Sequence, residues 1–189
     1  MEDYNGYETV KERLILSGIS ELQKHSIEDL SLRKVATLCN VSCAAPYKHF
    51  KNKQEFISEI IMYINHQWTK LRGQVMEAFS DNEKAQVVEV CIAYIKFCMA
   101  NPSFRNILVM KTDDLNDKTI HRDFYFSEDE NLIRRYCFFH FKDKRLAERK
   151  TFIIHSIVYG TTYMLDKSHF ENSRETIEKI REVLEEELE

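Results

Sequence analysis

Arg33, Lys34, Lys48, Lys51 and Lys53 fall within a stretch that holds no Asp or Glu, and Tyr47 and His49 stand among them. Cations with no carboxylate to neutralise them suit the phosphates of a nucleic acid, whose oxygens also accept from Tyr and Ser. Taken alone, such a cluster is more often a solvated face. The net charge of −4 weighs against nucleic-acid binding, but local distribution outweighs the total when a small part of a chain makes the contacts. Residues 182–189 are dominated by Glu, so the two ends should differ in potential.

Other chemistries lack their residues. No nucleophile has a paired base, no glycine-rich loop could cradle a phosphate, and no His/Cys spacing makes a metal site. The expectation is a protein that is not an enzyme and holds no cofactor or metal. Five cysteines, Cys39, Cys43, Cys91, Cys98 and Cys137, are an odd number in a chain with no export signal, which predicts reduced thiols. Cys91 and Cys98 share one helical face and read as small buried hydrophobes. Cys39 and Cys43 flank a turn, where a redox switch would need a lowered thiol pKa.

The elements that must position the basic cluster are helical. Four Gly and two Pro leave little to interrupt helices, and 43% apolar residues suffice for a core. The acidic, polar amino terminus and the absence of any ~20-residue apolar run predict a soluble, cytoplasmic protein without membrane contact. Val10, Leu14, Ile15, Ile19 and Leu22 predict an amphipathic helix over 7–24. Ser31 is an N-cap candidate for a short helix through Leu32, Val35, Ala36 and Leu38; Asn40-Val41-Ser42 then breaks the pattern, Asn tolerating the left-handed conformation and Ser42 able to cap a second short helix. Residues 31–50 thus read as helix, tight turn, short helix.

Asn52 and Glu55 resemble a capping box opening one long helix to Phe79. Further helices are predicted after Ser80-Asp81-Asn82 up to Asn101-Pro102, briefly through Leu108 and Met110, over 132–141 and 145–165, and from Asn172 to Leu188, with a polar loop at 112–119.

The run from Leu32 to Lys53, with Val35-Ala36 in its first helix, Val41-Ser42 at the turn, then Tyr47, His49-Phe50 and Lys53, resembles the signature of TetR-family transcriptional regulators. The resemblance covers about the first 55 residues. It departs where the family commonly has Gly (Asn40 and Ala44 here) and where it has Thr then Leu (Ala45 and Pro46 here). Pro46 lies near the first turn of the short helix, where a missing N–H costs least. The resemblance implies an all-α fold: a three-helix, helix-turn-helix DNA-binding head (residues 1–55) joined to a larger helical body (residues 56–189) for effector binding and dimerisation. It implies that Tyr47 and Lys53 contact phosphates, with Ser31, Ser42 and His49 as helpers; Arg33, from the basic cluster, is a further DNA-binding candidate. Cys43, Ala44, Ala45 and Lys48 are then the base-facing candidates. Only Lys48 can donate strongly to guanine, while alanines meet a thymine methyl. Phe50 reads as core.

The body is rich in aromatics and Met, and regulators of this kind usually hold an inducer among such residues. His140, His155 and Tyr159 are candidate polar contacts, although a satisfied core histidine is the commoner outcome. The expected partners are double-stranded operator DNA, a second copy of the chain, and a small apolar or aromatic effector. The dimer is predicted on the last two helices, with Gly160 allowing close approach and Ile153, Ile157, Ile177, Ile180 and Leu184 buried between copies. The expected function is a repressor released from a palindromic operator by its effector. The alternatives are a DNA-binding regulator that senses no small molecule, and a helical binding protein or enzyme that carries a helix-turn-helix.

Overall fold

The computed structural model describes residues 9–25, 27–102 and 122–189, with residues 122–128 and 130 as backbone alone. The predicted helix through Leu108 and Met110, the loop at 112–119 and a first helix starting at Tyr7 lie outside the described residues. Every element among the described residues is helical. They are α1 (Val10–Leu22), α2 (Leu32–Leu38), a 3₁₀ turn (Pro46–Lys48), α3 (Lys53–Ala78), α4 (Glu83–Ala100), α5 (Arg122–His140), α6 (Lys144–Asp166) and α7 (Arg174–Glu187). Two compact units divide them. One includes Met1–Asn65, the other His66–Asn101 and His121–Glu189, so α3 contributes to both.

In the first unit, α1 opens on a capping box that its apolar pattern did not reveal. Thr9 Oγ1 accepts the Glu12 N–H at 3.2 Å, and the Glu12 carboxylate accepts the Thr9 N–H at 2.7 Å, which lowers the Glu12 pKa. Leu14, Ile15, Gly18 and Leu22 face inward. On α2 the inward face is Leu32, Val35, Ala36 and Cys39; Leu38, expected on the apolar side, is 55% exposed because helical rotation turns Cys39 inward in its place. The Cys39 thiol donates to Ser17 Oγ at 3.0 Å. Asn52 Oδ1 accepts the Glu55 N–H at 2.8 Å at the start of α3, and the Glu55 carboxylate reaches the Lys51 N–H, one residue earlier than a standard box would have it. Phe56, Ile57, Ile60, Ile61 and Ile64 fill the core, and Phe50, 1% exposed, packs on Phe56 with ring centroids 4.8 Å apart.

In the second unit α4 is apolar on most sides and is correspondingly buried, contacting α5, α6 and α7. Cys91 and Cys98 sit in this core, where burial pushes the Cys91 thiol up to about 12. Asn82 and Asp143 cap α4 and α6. Asn172 was the expected cap of α7. Ser173 holds that place instead, its hydroxyl accepting the Thr176 N–H at 3.2 Å.

The apolar face expected between copies is divided differently. Ile177 and Leu184 are buried within the chain, where α7 packs on α4 and α6, while Ile180, mostly buried, still lines an open groove on α6 and α7. The outward face of α6 carries instead Phe152 (72% exposed), Tyr159, Gly160, Tyr163 and Met164. No described helix is long and apolar enough to cross a membrane.

Candidate nucleic-acid interface

The turn after α2 forms because Asn40 adopts φ 54°, a region that Asn enters at low cost. With Asn40 so placed, its N–H donates to Thr37 O at 3.0 Å and the Val41 N–H to Ala36 O at 3.0 Å, the paired bonds of a Schellman motif. The expected second short helix contracts to a 3₁₀ turn at Pro46–Lys48, preceded by Ala45 rather than by a Ser42 cap. Proline is the reason. Without an N–H, Pro46 cannot bond back to Ser42, so the Ala45 N–H closes onto Ser42 O at 2.9 Å and the Lys48 N–H onto Ala45 O at 3.1 Å, both three residues back.

This turn buries Pro46 and Phe50 and leaves Ser42, Cys43, Ala44, Tyr47, Lys48 and His49 exposed, with Ala45 half-buried. Six of the sequence-derived site residues therefore share one exposed turn that rests on α2. Tyr47 presents 54% of its surface. Ser31 and Arg33 are exposed at the start of α2, and Ser31 occupies the cap position without a side-chain capping bond.

Two basic residues have protein partners that their place in the cluster concealed. Lys34 Nζ lies 2.5 Å from Glu21, whose side chain is 8% exposed and whose carboxyl this lysine holds below the usual carboxylate range. Glu21 falls on the apolar face of α1, seven residues after Leu14, and an acid at such a position signals an internal partner. Lys53 Nζ donates to Glu28 O at 2.6 Å, which leaves two of its three N–H groups for a phosphate. Lys11 pairs with Glu59 at 2.9 Å and stands 5.9 Å over the Phe50 ring, bracing the core behind the turn. Cys43 is exposed and Cys39 buried.

Of the candidate effector contacts, His155 stacks on Tyr159 with centroids 6.2 Å apart, and both line a narrow void with Tyr94 and Asp129. Burial raises the Tyr94 pKa. His140 is exposed, stacked on Tyr136 and 3.1 Å from Glu83, so it is not a core histidine. On the α6 and α7 surface, Ile157, Gly160, Met164 and Val183 line an open apolar groove, and a Cβ added at Gly160 would meet nothing within 4 Å.

No family model matches the chain, and no curated protein matches it. Solved structures do. A protein with unknown function from Rhodococcus sp. RHA1 aligns at a TM-score of 0.72 and 16% identity, covering 99% of this chain and 97% of that one. A TetR-family transcriptional regulator from Bordetella parapertussis aligns at 0.68 and 12% identity, covering 94% and 95%. The fatty acid degradation regulator FadR from Bacillus halodurans aligns at 0.67 and 12%, covering 95% and 97%. The chain has the all-helical fold of TetR-family regulators over nearly its whole length.

Proposed function

We propose that this chain is a TetR-family transcriptional regulator, a cytoplasmic homodimer that represses from a palindromic operator and releases it when a small apolar or aromatic effector binds the body. In this reading residues 1–55 bind DNA and residues 56–189 bind the effector and the second copy. The observation that carries it is the exposed turn, where a left-handed Asn40 and a buried Pro46 and Phe50 present Ser42, Ala44, Tyr47, Lys48 and His49 to solvent as one surface. A helix-turn-helix docks such a surface in the major groove, and a two-fold dimer places two of them on successive half-sites. The apolar face of α6 and α7 supports the second copy. It is self-complementary in character, and Gly160 leaves room for close helix approach.

The test uses the intergenic DNA upstream of the chain's own coding sequence, searched for a protected palindrome, and then three variants on operator and scrambled duplexes at several salt concentrations. Tyr47→Phe and Lys53→Ala remove phosphate partners and weaken both duplexes by similar factors, Lys53→Ala lowering the salt slope by about one unit. Because Lys53 also ties down the Glu28 carbonyl, its variant is compared at equal fraction folded. Lys48→Ala costs about 1 to 3 kcal/mol on operator and less elsewhere, relaxing preference at one base pair per half-site. Equal losses on both duplexes reduce Lys48 to a phosphate contact, and unchanged binding in all three variants overturns the assignment of this surface.

A further inference from the structure

We infer that the open cleft beside α5 receives the carboxylate of an apolar organic acid, and that this acid acts by taking Arg72 from Asp129. The inference rests on the reading of the body as effector-binding and names the effector's chemistry. Asp129, on α5, holds two residues of α3 one turn apart: Trp68 Nε1 donates to its Oδ2 at 2.9 Å, and Arg72 Nε lies 2.8 Å from its Oδ1. Both members of the ion pair are mostly buried, at 19% and 14% exposure, so loss of either partner leaves a charge with little water to solvate it.

Arg72 also lines a cleft of about 570 Å³ with Asn131, Leu132, Arg134, Arg135 and Phe138. The described residues that line it include three arginines, whose guanidinium groups favour an anion. Leu132 and Phe138, the latter with the Arg134 guanidinium 5.4 Å from its ring, supply apolar wall. The volume is that of a small-molecule site. A carboxylate matches the planar fork of arginine and replaces Asp129 with little change in geometry. Once the acid holds Arg72, Asp129 loses a charged partner and the tie between α5 and α3 loosens. α3 is the helix whose first turns build the core behind the DNA-facing turn, so its population of positions shifts with the ligand.

Decanoate, decanamide and decylamine are the probes, titrated into the full chain and followed by the fluorescence of Trp68, the sole tryptophan, and by Tm. The expected result is saturable binding of decanoate, with decanamide and decylamine at least about tenfold weaker. Arg72→Gln and the surface double variant Arg134→Gln/Arg135→Gln each weaken decanoate about tenfold, while Asp129→Asn, which removes the internal competitor, tightens it. Equal binding of decanamide or decylamine, or decanoate affinity unchanged in both arginine variants, overturns the inference. So does a chain that binds its operator but not decanoate, which leaves the DNA-binding reading intact. A chain that binds no DNA sinks that reading whatever decanoate does.

Discussion

A chain carrying Ile157→Asp and Val183→Asp sediments as a monomer and binds its operator about 100-fold or more weakly, because one head then engages one half-site without the effective concentration that a linked second head provides. Both residues line the groove on α6 and α7, Val183 being 45% exposed, so the new carboxylates meet water in the single chain and a desolvated, like-charged surface only between copies. The control is Leu184→Asp. Leu184 is fully buried, and a charge there unfolds the second unit instead of only dissociating copies. An unchanged dimer in the groove variant, by analytical ultracentrifugation, removes the α6 and α7 face as the interface.

Gly18→Val destabilises the first unit and leaves the proposed dimer of the second standing. A Cβ at Gly18 would lie 2.5 Å from Phe56 Cζ and 2.7 Å from Ile60 Cδ1, closer than packed atoms tolerate, and valine adds two methyl groups to that conflict. Overpacking of this kind costs about 1 to 3 kcal/mol or more, against roughly a few tenths of a kcal/mol regained when valine replaces glycine in a helix interior. At a net loss near 2 kcal/mol, amide exchange in α1 and α2 accelerates about 30-fold, and operator affinity falls while sedimentation reports an intact dimer. Gly18→Ala shows the same direction with a smaller effect. If Gly18→Val exchanges and binds like the parent, α1 and α3 have room to separate and the close approach is not a constraint.

What could be read in the sequence was whatever depends on neighbours along the chain. The helices at 83–100 and 144–166 followed from periodicity, the stop before Asn101-Pro102 from proline, and the turn at Asn40 from the tolerance of Asn for φ above zero. These are local properties, set within one or two turns of backbone. Misplacements of one residue, as at Asn172 and Ser173, came where two adjacent residues were equally able to cap. The 3₁₀ turn at Pro46–Lys48 was local too, but its extent depended on whether the chain would accept Ala45 in a helical conformation before proline, which it does at φ −60° and ψ −43°.

The list of basic and exposed residues for the candidate surface was also legible, since Tyr47, Lys48 and His49 needed only a turn that buries Pro46 and Phe50 to reach solvent. Which cations are committed elsewhere was not. The bonds of Lys34 to Glu21 and Lys53 to the Glu28 carbonyl, and of Trp68 and Arg72 to Asp129, join positions 13 to 61 residues apart, and periodicity carries no information about such pairs. The same holds for α7. Its single apolar stripe could face its own chain or a second copy, and packing on α4 decided that Ile177, Ile180 and Leu184 turn inward while α6, apolar on two sides, keeps Phe152 and Tyr163 outside. The amino-acid sequence determined which faces are apolar and where helices begin and end, because those follow from local backbone and side-chain preferences. Tertiary structure alone decided which partner each face and each charge meets, because that depends on which segments distant in the chain come to lie side by side.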